Sequence, residues 1–191
     1  NVMSKRERGG NLLWSRTIKN GTNPNVAGGL SFPKRNDNGE LFAVGRYADN
    51  NEEPVIVAFD AAGNLKWSKK YKHTTVPQFH LFGSSVTVEN NNSIAVAMQY
   101  YYNADIITDP AAKHGFQLFK INTTDGSITS QVSFMYYDDI AGNNSNSSTL
   151  RKLNYDPLTK RFLLCSAGGS GDGNCVLSLF DENLNHLKTR L

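Results

Sequence analysis

Two cysteines, Cys165 and Cys175, are the residues whose types and spacing most directly suggest chemistry. They flank the glycine-rich segment 167–174, and Ser170 lies midway between them. If this segment reverses the chain between two antiparallel strands, the cysteines occupy matched positions and lie close enough for a disulfide. A Cys165–Cys175 disulfide would place the chain in an oxidising compartment. Two reduced, buried thiols are the alternative that the sequence leaves open.

The remaining metal-binding residue types do not form a ligand pattern with these cysteines. The chain has four histidines, which are scattered along it: His73, His80, His114 and His186. Zinc sites in proteins need ligands at short, regular spacings. The sequence therefore predicts no metal site and no cofactor.

Five asparagines begin the Asn-x-Ser/Thr signal for N-linked glycosylation. They are Asn20, Asn91, Asn122, Asn143 and Asn146. All five fall in predicted turns or loops, where the modification requires its acceptor to be. Together with the paired cysteines, these sites predict a glycoprotein that is secreted or carried at the cell surface.

Three segments that resemble catalytic or binding motifs lack the context that such motifs need. The glycine-rich segment 168–173 precedes a predicted strand, whereas a phosphate-binding loop opens a helix. The turn 36–39 has oxygen ligands but no terminal carboxylate for calcium. Asp138 and Asp139 have no visible partner for acid–base catalysis. No catalytic residue is predicted.

Charge and hydropathy exclude two further classes of partner. The formal net charge of +3 is too small and too dispersed for a nucleic-acid-binding surface. No apolar run approaches the roughly 18 residues that span a bilayer. We expect no nucleic-acid partner and no membrane span.

A repeated phrase indicates the elements that carry these residues. Gly10–Arg16 (Gly-Asn-Leu-Leu-Trp-Ser-Arg) returns as Gly63–Lys69 (Gly-Asn-Leu-Lys-Trp-Ser-Lys). Near-copies at such an interval indicate a tandem array of one structural unit. Between them the chain alternates short apolar segments, such as 41–47 and 55–59, with turns rich in Asn, Asp and Gly. This pattern predicts strands almost throughout and no helix.

The strands group into units of four, which is the pattern of an all-β fold of β-propeller type. We predict three complete four-stranded antiparallel blades, in 28–72, 73–137 and 138–191. Residues 1–27 are predicted to form an N-terminal tail and the outer strand of an incomplete blade. In this interpretation Leu12 to Ile18 is an orphan strand that no other strand of the chain can pair with.

One stretch resembles a known family. Val55–Trp67 resembles the blade signature of quinoprotein-like propellers, in which an apolar third strand, an Asp-x-x-Gly turn and a fourth-strand Trp recur. The resemblance implies that Trp14 and Trp67 pack between neighbouring blades. The family's quinone-binding residues match no position here, so the resemblance implies a fold and no activity.

Closed propellers have at least about four blades, so three blades and one strand predict a larger or composite propeller. The expected partners are copies of the chain or other chains that complete it. The function predicted from this combination is a non-enzymatic extracellular structural or interaction module. A propeller enzyme of quinoprotein-like or hydrolase type and an intracellular propeller scaffold are the alternatives.

Overall fold

A computed structural model describes residues 2–9, 11–17, 33–46, 54–71, 79–102, 113–135, 149–167 and 175–190. In this part of the chain the backbone forms fourteen strands and no helix. The strands are β1 (Val2–Arg6), β2 (Leu12–Thr17), β3 (Lys34–Arg35), β4 (Leu41–Arg46), β5 (Pro54–Phe59), β6 (Leu65–Lys70), β7 (Phe79–Asn90), β8 (Ser93–Tyr102), β9 (Lys113–Asn122), β10 (Ile128–Met135), β11 (Thr149–Asp156), β12 (Arg161–Ala167), β13 (Cys175–Phe180) and β14 (His186–Arg190).

These strands pair in chain order into four separate antiparallel sheets. The first sheet contains β3–β6, the second β7–β10 and the third β11–β14, while β1 and β2 form a two-stranded hairpin sheet. The predicted all-β fold with three four-stranded antiparallel sheets is confirmed. Strand β7 contacts β4 of the first sheet and β11 of the third, so the second sheet lies between the other two.

One type of turn closes four of the hairpins whose turns the structure describes. Its first residue donates its N–H to the carbonyl of the last, as in Asp60 to Asn64 at 2.9 Å and Asp181 to Asn185 at 3.0 Å. The penultimate residue adopts a positive φ, which Gly63 (83°) tolerates because it has no Cβ. Leu184 adopts 67° at the same place although it carries a side chain. That side chain is buried in the core, and its burial offsets the strain.

The apolar residues of the described strands form three buried clusters. Leu41, Ala43, Val57 and Phe59 form one on the face of the first sheet that is turned away from the second sheet. The other two are the larger cores on the two sides of the second sheet. The core between the first and second sheets contains Phe42, Val44, Ile56, Ala58, Trp67, Tyr71, Val86, Ile94, Val96, Met98, Phe119 and Ile121. The core between the second and third sheets contains Ala95, Ala97, Phe116, Leu118, Leu150, Leu153, Phe162, Leu164, Phe180 and Leu184. Alternate residues of β8 contribute to the two cores, because successive side chains of a strand point to opposite faces.

The expectation that Leu12 to Ile18 has no partner strand in the chain is wrong. Strand β1 pairs with β2 in antiparallel register, with Lys5 opposite Trp14. The intervening turn repeats the bond of the other hairpins, since Glu7 N–H donates to the Asn11 carbonyl at 3.0 Å. Segment 2–6 has few apolar residues and therefore did not look like a strand. The repeated phrase places β2 in correspondence with β6, the fourth strand of the first sheet, so β1 corresponds to the third strand, β5.

Candidate functional site: the contacts between sheets

The indole of Trp67 lies between the first and second sheets. Its position on β6 is set by pairing with Ala58 of β5. The ring Nε1 donates a buried hydrogen bond of 2.9 Å to the carbonyl oxygen of Thr123, in the turn between β9 and β10. Burial of this tryptophan leaves no unsatisfied donor, because its one polar group, the indole N–H, has an acceptor.

Gly126 provides the surface on which this indole rests. Its φ is +72°, and a Cβ added at this position would lie 2.9 Å from Cε3 of Trp67. No real Cβ approaches a ring carbon so closely. Glycine is therefore required here both by the backbone conformation and by the contact with the ring.

Tyr71, directly after β6, completes the contact with the same turn. Its hydroxyl donates to the Gly126 carbonyl oxygen at 2.7 Å, and its ring centre lies 6.0 Å from that of Phe119. Burial, with a smaller contribution from the charge of Asp125, raises the pKa of the Tyr71 phenol well above its ordinary value. The hydroxyl therefore stays protonated and remains a donor throughout the ordinary pH range.

Polar residues at the rim of this interface link the turns of the two sheets. The Asn91 side-chain oxygen accepts from the Asp37 N–H at 3.0 Å. The Asn91 carbonyl accepts from the Thr123 hydroxyl at 2.7 Å. Lys66 pairs with Glu40 of its own sheet and reaches the Thr123 carbonyl at 3.4 Å. These hydrogen bonds connect the turns at 36–40, 90–93 and 122–127 at one end of the interface.

The contact between the second and third sheets is built differently. Two buried side chains of the second sheet accept hydrogen bonds from the backbone of β11: Gln99 Oε1 from Leu150 N–H at 2.7 Å, and Ser85 Oγ from Leu153 N–H at 3.0 Å. The register of β11 shifts between Leu150 and Lys152, which is a β-bulge. Strand β11 is also the edge strand of its sheet, so N–H groups on its outer side have no partner strand. Side-chain acceptors of the second sheet satisfy two of these N–H groups.

Lys120 adds a charged contact to this second interface. Its ammonium lies 2.8 Å from Glu89 within the second sheet and donates to the Glu182 carbonyl of the third sheet at 2.9 Å. Glu89 also accepts from the Ser93 hydroxyl at 2.6 Å. Glu182 is the second residue of its turn, as Thr123 is of its own. In both interfaces a side chain of one sheet therefore donates to the same carbonyl position in the next.

The two cysteines are near each other but not at matched positions. Cys165 lies opposite Leu177 and Cys175 opposite Ala167, so the expectation that they face each other directly is wrong. The register follows from the pairing of Phe162 with Phe180 in the core. The sulfur atoms are 3.1 Å apart as free thiols. The hydrogen bond to Cys175, followed by burial, raises the pKa of the Cys165 thiol.

Two of the five glycosylation signals lie in the described part of the chain. Asn91 is in the turn between β7 and β8, and Asn122 ends β9; both side chains are half-buried. The Asn122 side-chain oxygen accepts from the Thr124 N–H at 2.8 Å. Asn20, Asn143 and Asn146 lie outside the described residues. So does the side chain of Trp14, although its backbone is part of β2.

Sequence reasoning missed the residues that face Trp67 and those that bond to β11. Asp125 and Gly126 indicated a turn, but residue types that favour a turn do not indicate that the Trp67 ring of another sheet packs on the glycine. Gln99 and Ser85 are polar residues in apolar strands, and this anomaly was the available signal for a buried contact. Among the described residues, no group of three or more His, Cys, Asp or Glu could hold a metal ion. The described part also contains no helix with the length and hydropathy needed to cross a bilayer.

No model of a known family matches the chain, and no curated protein matches it. One solved structure, described as "Crystal structure of the eukaryotic initiation factor", aligns with 98% of this chain at 11% identity and a TM-score of 0.30. The alignment covers 50% of that structure's chain, so this chain spans about half its length. A likeness at this level carries no argument about fold or function.

Proposed function

We propose that the chain is part of a β-propeller that acts as a non-enzymatic extracellular module, whose work is to join sheets and chains into a larger assembly. One observation carries this proposal. At both contacts between sheets, a donor of the preceding sheet reaches the carbonyl of the second residue in the third-to-fourth strand turn of the next: Trp67 to Thr123, and Lys120 to Glu182. Such a repeated step is what a radial array of blades requires.

The arrangement of the sheets supports the same proposal. The three sheets are consecutive in sequence, and β7, the first strand of the second sheet, contacts both β11 and the β3–β4 pair. First strands that gather near one axis, with fourth strands at the periphery, are typical of propellers. Because polar groups at the described contacts serve to hold sheets together, the proposal assigns them a structural role and assigns no catalytic residue.

The extracellular part of the proposal has two supports. The sulfur atoms of Cys165 and Cys175 are 3.1 Å apart, so a small rotation of the side chains would allow a bond in an oxidising compartment. The glycosylation signals at Asn91 and Asn122 both lie where strands end in turns. We propose that N-linked glycans occupy one or more of the five signals and that Cys165 and Cys175 are bonded in the mature protein.

Intact-mass measurement of material from the natural source tests this proposal. We expect glycan masses together with the loss of two hydrogens at the cysteines. A bare and fully reduced polypeptide of 21.1 kDa would overturn the extracellular assignment. A tightly bound quinone or metal would instead favour an enzyme.

Electron microscopy of the same material tests the architecture. We expect disc-shaped particles with radial blades around a central axis. Particles with two stacked sheets and no central axis would overturn the propeller.

A further inference from the structure

Equivalent register positions of the first and third sheets differ in their exposure to solvent. Both have a phenylalanine at the end of their third strand, Phe59 opposite Leu41 and Phe180 opposite Phe162. Alignment on these pairs defines the forward face of each sheet, the face turned toward the next sheet in sequence. In the first sheet it contains Phe42, Val44, Ile56, Ala58 and Trp67. In the third sheet the same register positions hold Leu163, Cys165, Leu177, Leu179 and Lys188.

The second sheet buries the forward face of the first, whereas that of the third sheet is open. Ile56 has no exposed surface, but Leu177 at the equivalent position is 40% exposed. Leu163 and Leu179 are half-buried and Lys188 is exposed. The solvated face of an antiparallel sheet normally carries polar residues. Apolar residues at these positions therefore indicate a face that another surface covers.

The structure also indicates what such a surface must offer. In both existing contacts the covering sheet presents the turn between its third and fourth strands, and the carbonyl of that turn's second residue accepts from the preceding sheet. Lys188 holds the register position of Trp67 and carries three donor hydrogens. The forward face of the third sheet thus offers both the apolar surface and a donor.

The hairpin sheet carries an exposed turn of this kind. Glu7 N–H bonds to the Asn11 carbonyl, and the Asn11 side-chain amide pairs with the Glu7 carboxylate, as in the turn at Asp60–Asn64. Glu7, Arg8, Gly9 and Asn11 are all exposed. On β2, Leu13 is 54% exposed. One copy of the chain therefore carries both surfaces of the contact, and both are accessible.

We propose that the forward face of the third sheet binds the β1–β2 hairpin of a second copy, with Lys188 donating to the Arg8 carbonyl. The contact is head to tail, because the face and the hairpin are different surfaces of the molecule. Such contacts give rings when the rotation closes and open arrays when it does not. This inference rests on the proposed role in assembly and names the surface and partner for it.

Complementation between two variants tests the proposal. Leu177→Glu damages the face and leaves the hairpin intact; Leu13→Glu does the reverse. Alone, each should associate at least about tenfold more weakly than the wild type in sedimentation. Mixed in equal amounts they should form one-to-one dimers and grow no further, because only one intact contact remains. The matched control is Leu158→Glu, at a leucine 93% exposed in the β11–β12 turn, which should assemble like the wild type.

A second measurement needs no variant. Backbone hydrogen exchange of the wild-type chain should slow at residues 7–12 and 186–190 as the concentration rises from about 1 µM to about 1 mM. A wild-type chain that stays monomeric throughout overturns the inference, while the proposed function still depends on its own mass and microscopy experiments. If the wild type assembles and the two face and hairpin variants assemble equally well, another surface is responsible. That result overturns the inference and leaves the assembly role standing.

Discussion

The two contacts between sheets use different chemistry around the same turn position. At the contact between the first and second sheets, an aromatic side chain fits onto a glycine, and Trp67 with Gly126 determines the spacing. At the contact between the second and third sheets, buried Gln99 and Ser85 accept hydrogen bonds from N–H groups of the edge strand β11. Both contacts contain an apolar core and hydrogen bonds, but only the first is shown to require a close fit between a ring and a glycine, and only the second supplies acceptors to an edge strand. The same arrangement of neighbouring sheets can therefore be held by different side chains, as Trp67 and Lys120 show at the two contacts.

The largest expected effect is that of Trp67→Ala, which removes the ring from the contact between the first and second sheets. Loss of a buried aromatic ring, together with the cavity that it leaves, should lower the free energy of unfolding by about 3–5 kcal/mol. Urea denaturation measures this change. Leu65→Ala, at a residue 60% exposed on the same strand, is the control and should change stability by less than about 1 kcal/mol. Equal effects of the two substitutions would refute the role of Trp67.

Gly126→Ala tests the fit from the other side of the contact. The positive φ costs a side chain about 1–2 kcal/mol, and displacement of the Trp67 ring adds to it, giving about 2–4 kcal/mol in all. Gly9→Ala is the control, because a Cβ there meets nothing within 4 Å. The midpoints of thermal unfolding should separate the two variants. A neutral Gly126→Ala would show that the ring is not seated on the glycine.

Gln99→Leu tests the contact between the second and third sheets. The substitution replaces the polar amide by an apolar side chain of similar size, so the buried Leu150 N–H loses its acceptor. We expect a loss of about 1–3 kcal/mol in chemical denaturation. Gln131→Leu, at an exposed position of β10, should have little effect. If Gln99→Leu stabilised the protein, packing would outweigh hydrogen bonding at the contact between the second and third sheets, and the distinction between the two contacts would disappear.

Tyr71→Phe should cost about 1 kcal/mol near neutral pH, since one buried hydrogen bond is lost. It should also change the response to alkali. The pKa of Tyr71 is raised by folding, so its contribution to stability is complete below the ordinary phenol pKa of 10.0 and declines as the pH rises above it. Unfolding free energies at about pH 8 and pH 11 should therefore converge between the wild type and Tyr71→Phe. A difference between the wild type and Tyr71→Phe that stays constant from about pH 8 to about pH 11 would contradict this role of the hydroxyl.

The smallest effect should come from the carboxylates in the turns. Hydrogen bonds from Asn64 lower the pKa of Asp60, and bonds from Asn185 lower that of Asp181. A lowered pKa contributes stability above the ordinary value of 3.8, and this contribution is lost as the pH falls below it. Asp181→Asn should therefore lose less stability than the wild type between about pH 5 and pH 2.5. Parallel acid titrations by circular dichroism would measure the difference, and identical slopes would contradict it.

Several features of the fold could be predicted from the sequence because they depend on local chemistry. Asn, Asp and Gly at the reversals, and the repeated phrase around Trp67, predicted the strands and their grouping in fours. The charged segment 2–6 was not recognised as a strand, because a short third strand with few apolar residues has no alternation to detect. Its pairing with β2 depends on the turn that joins them.

The amino-acid sequence by itself determined the all-β class and the antiparallel order of the strands within each sheet. The connections between neighbouring strands have ten residues or fewer, which is too short for the crossover that parallel pairing needs. Only the tertiary structure decided the cysteine register, because the pairing of Phe162 with Phe180 in the core sets which residues of β12 and β13 face each other. The tertiary structure also decided which glycine receives the Trp67 ring and which amide bonds to β11. These contacts join residues more than fifty positions apart in the chain. Local propensity carries no information about such distant partners, and packing of whole sheets selects them.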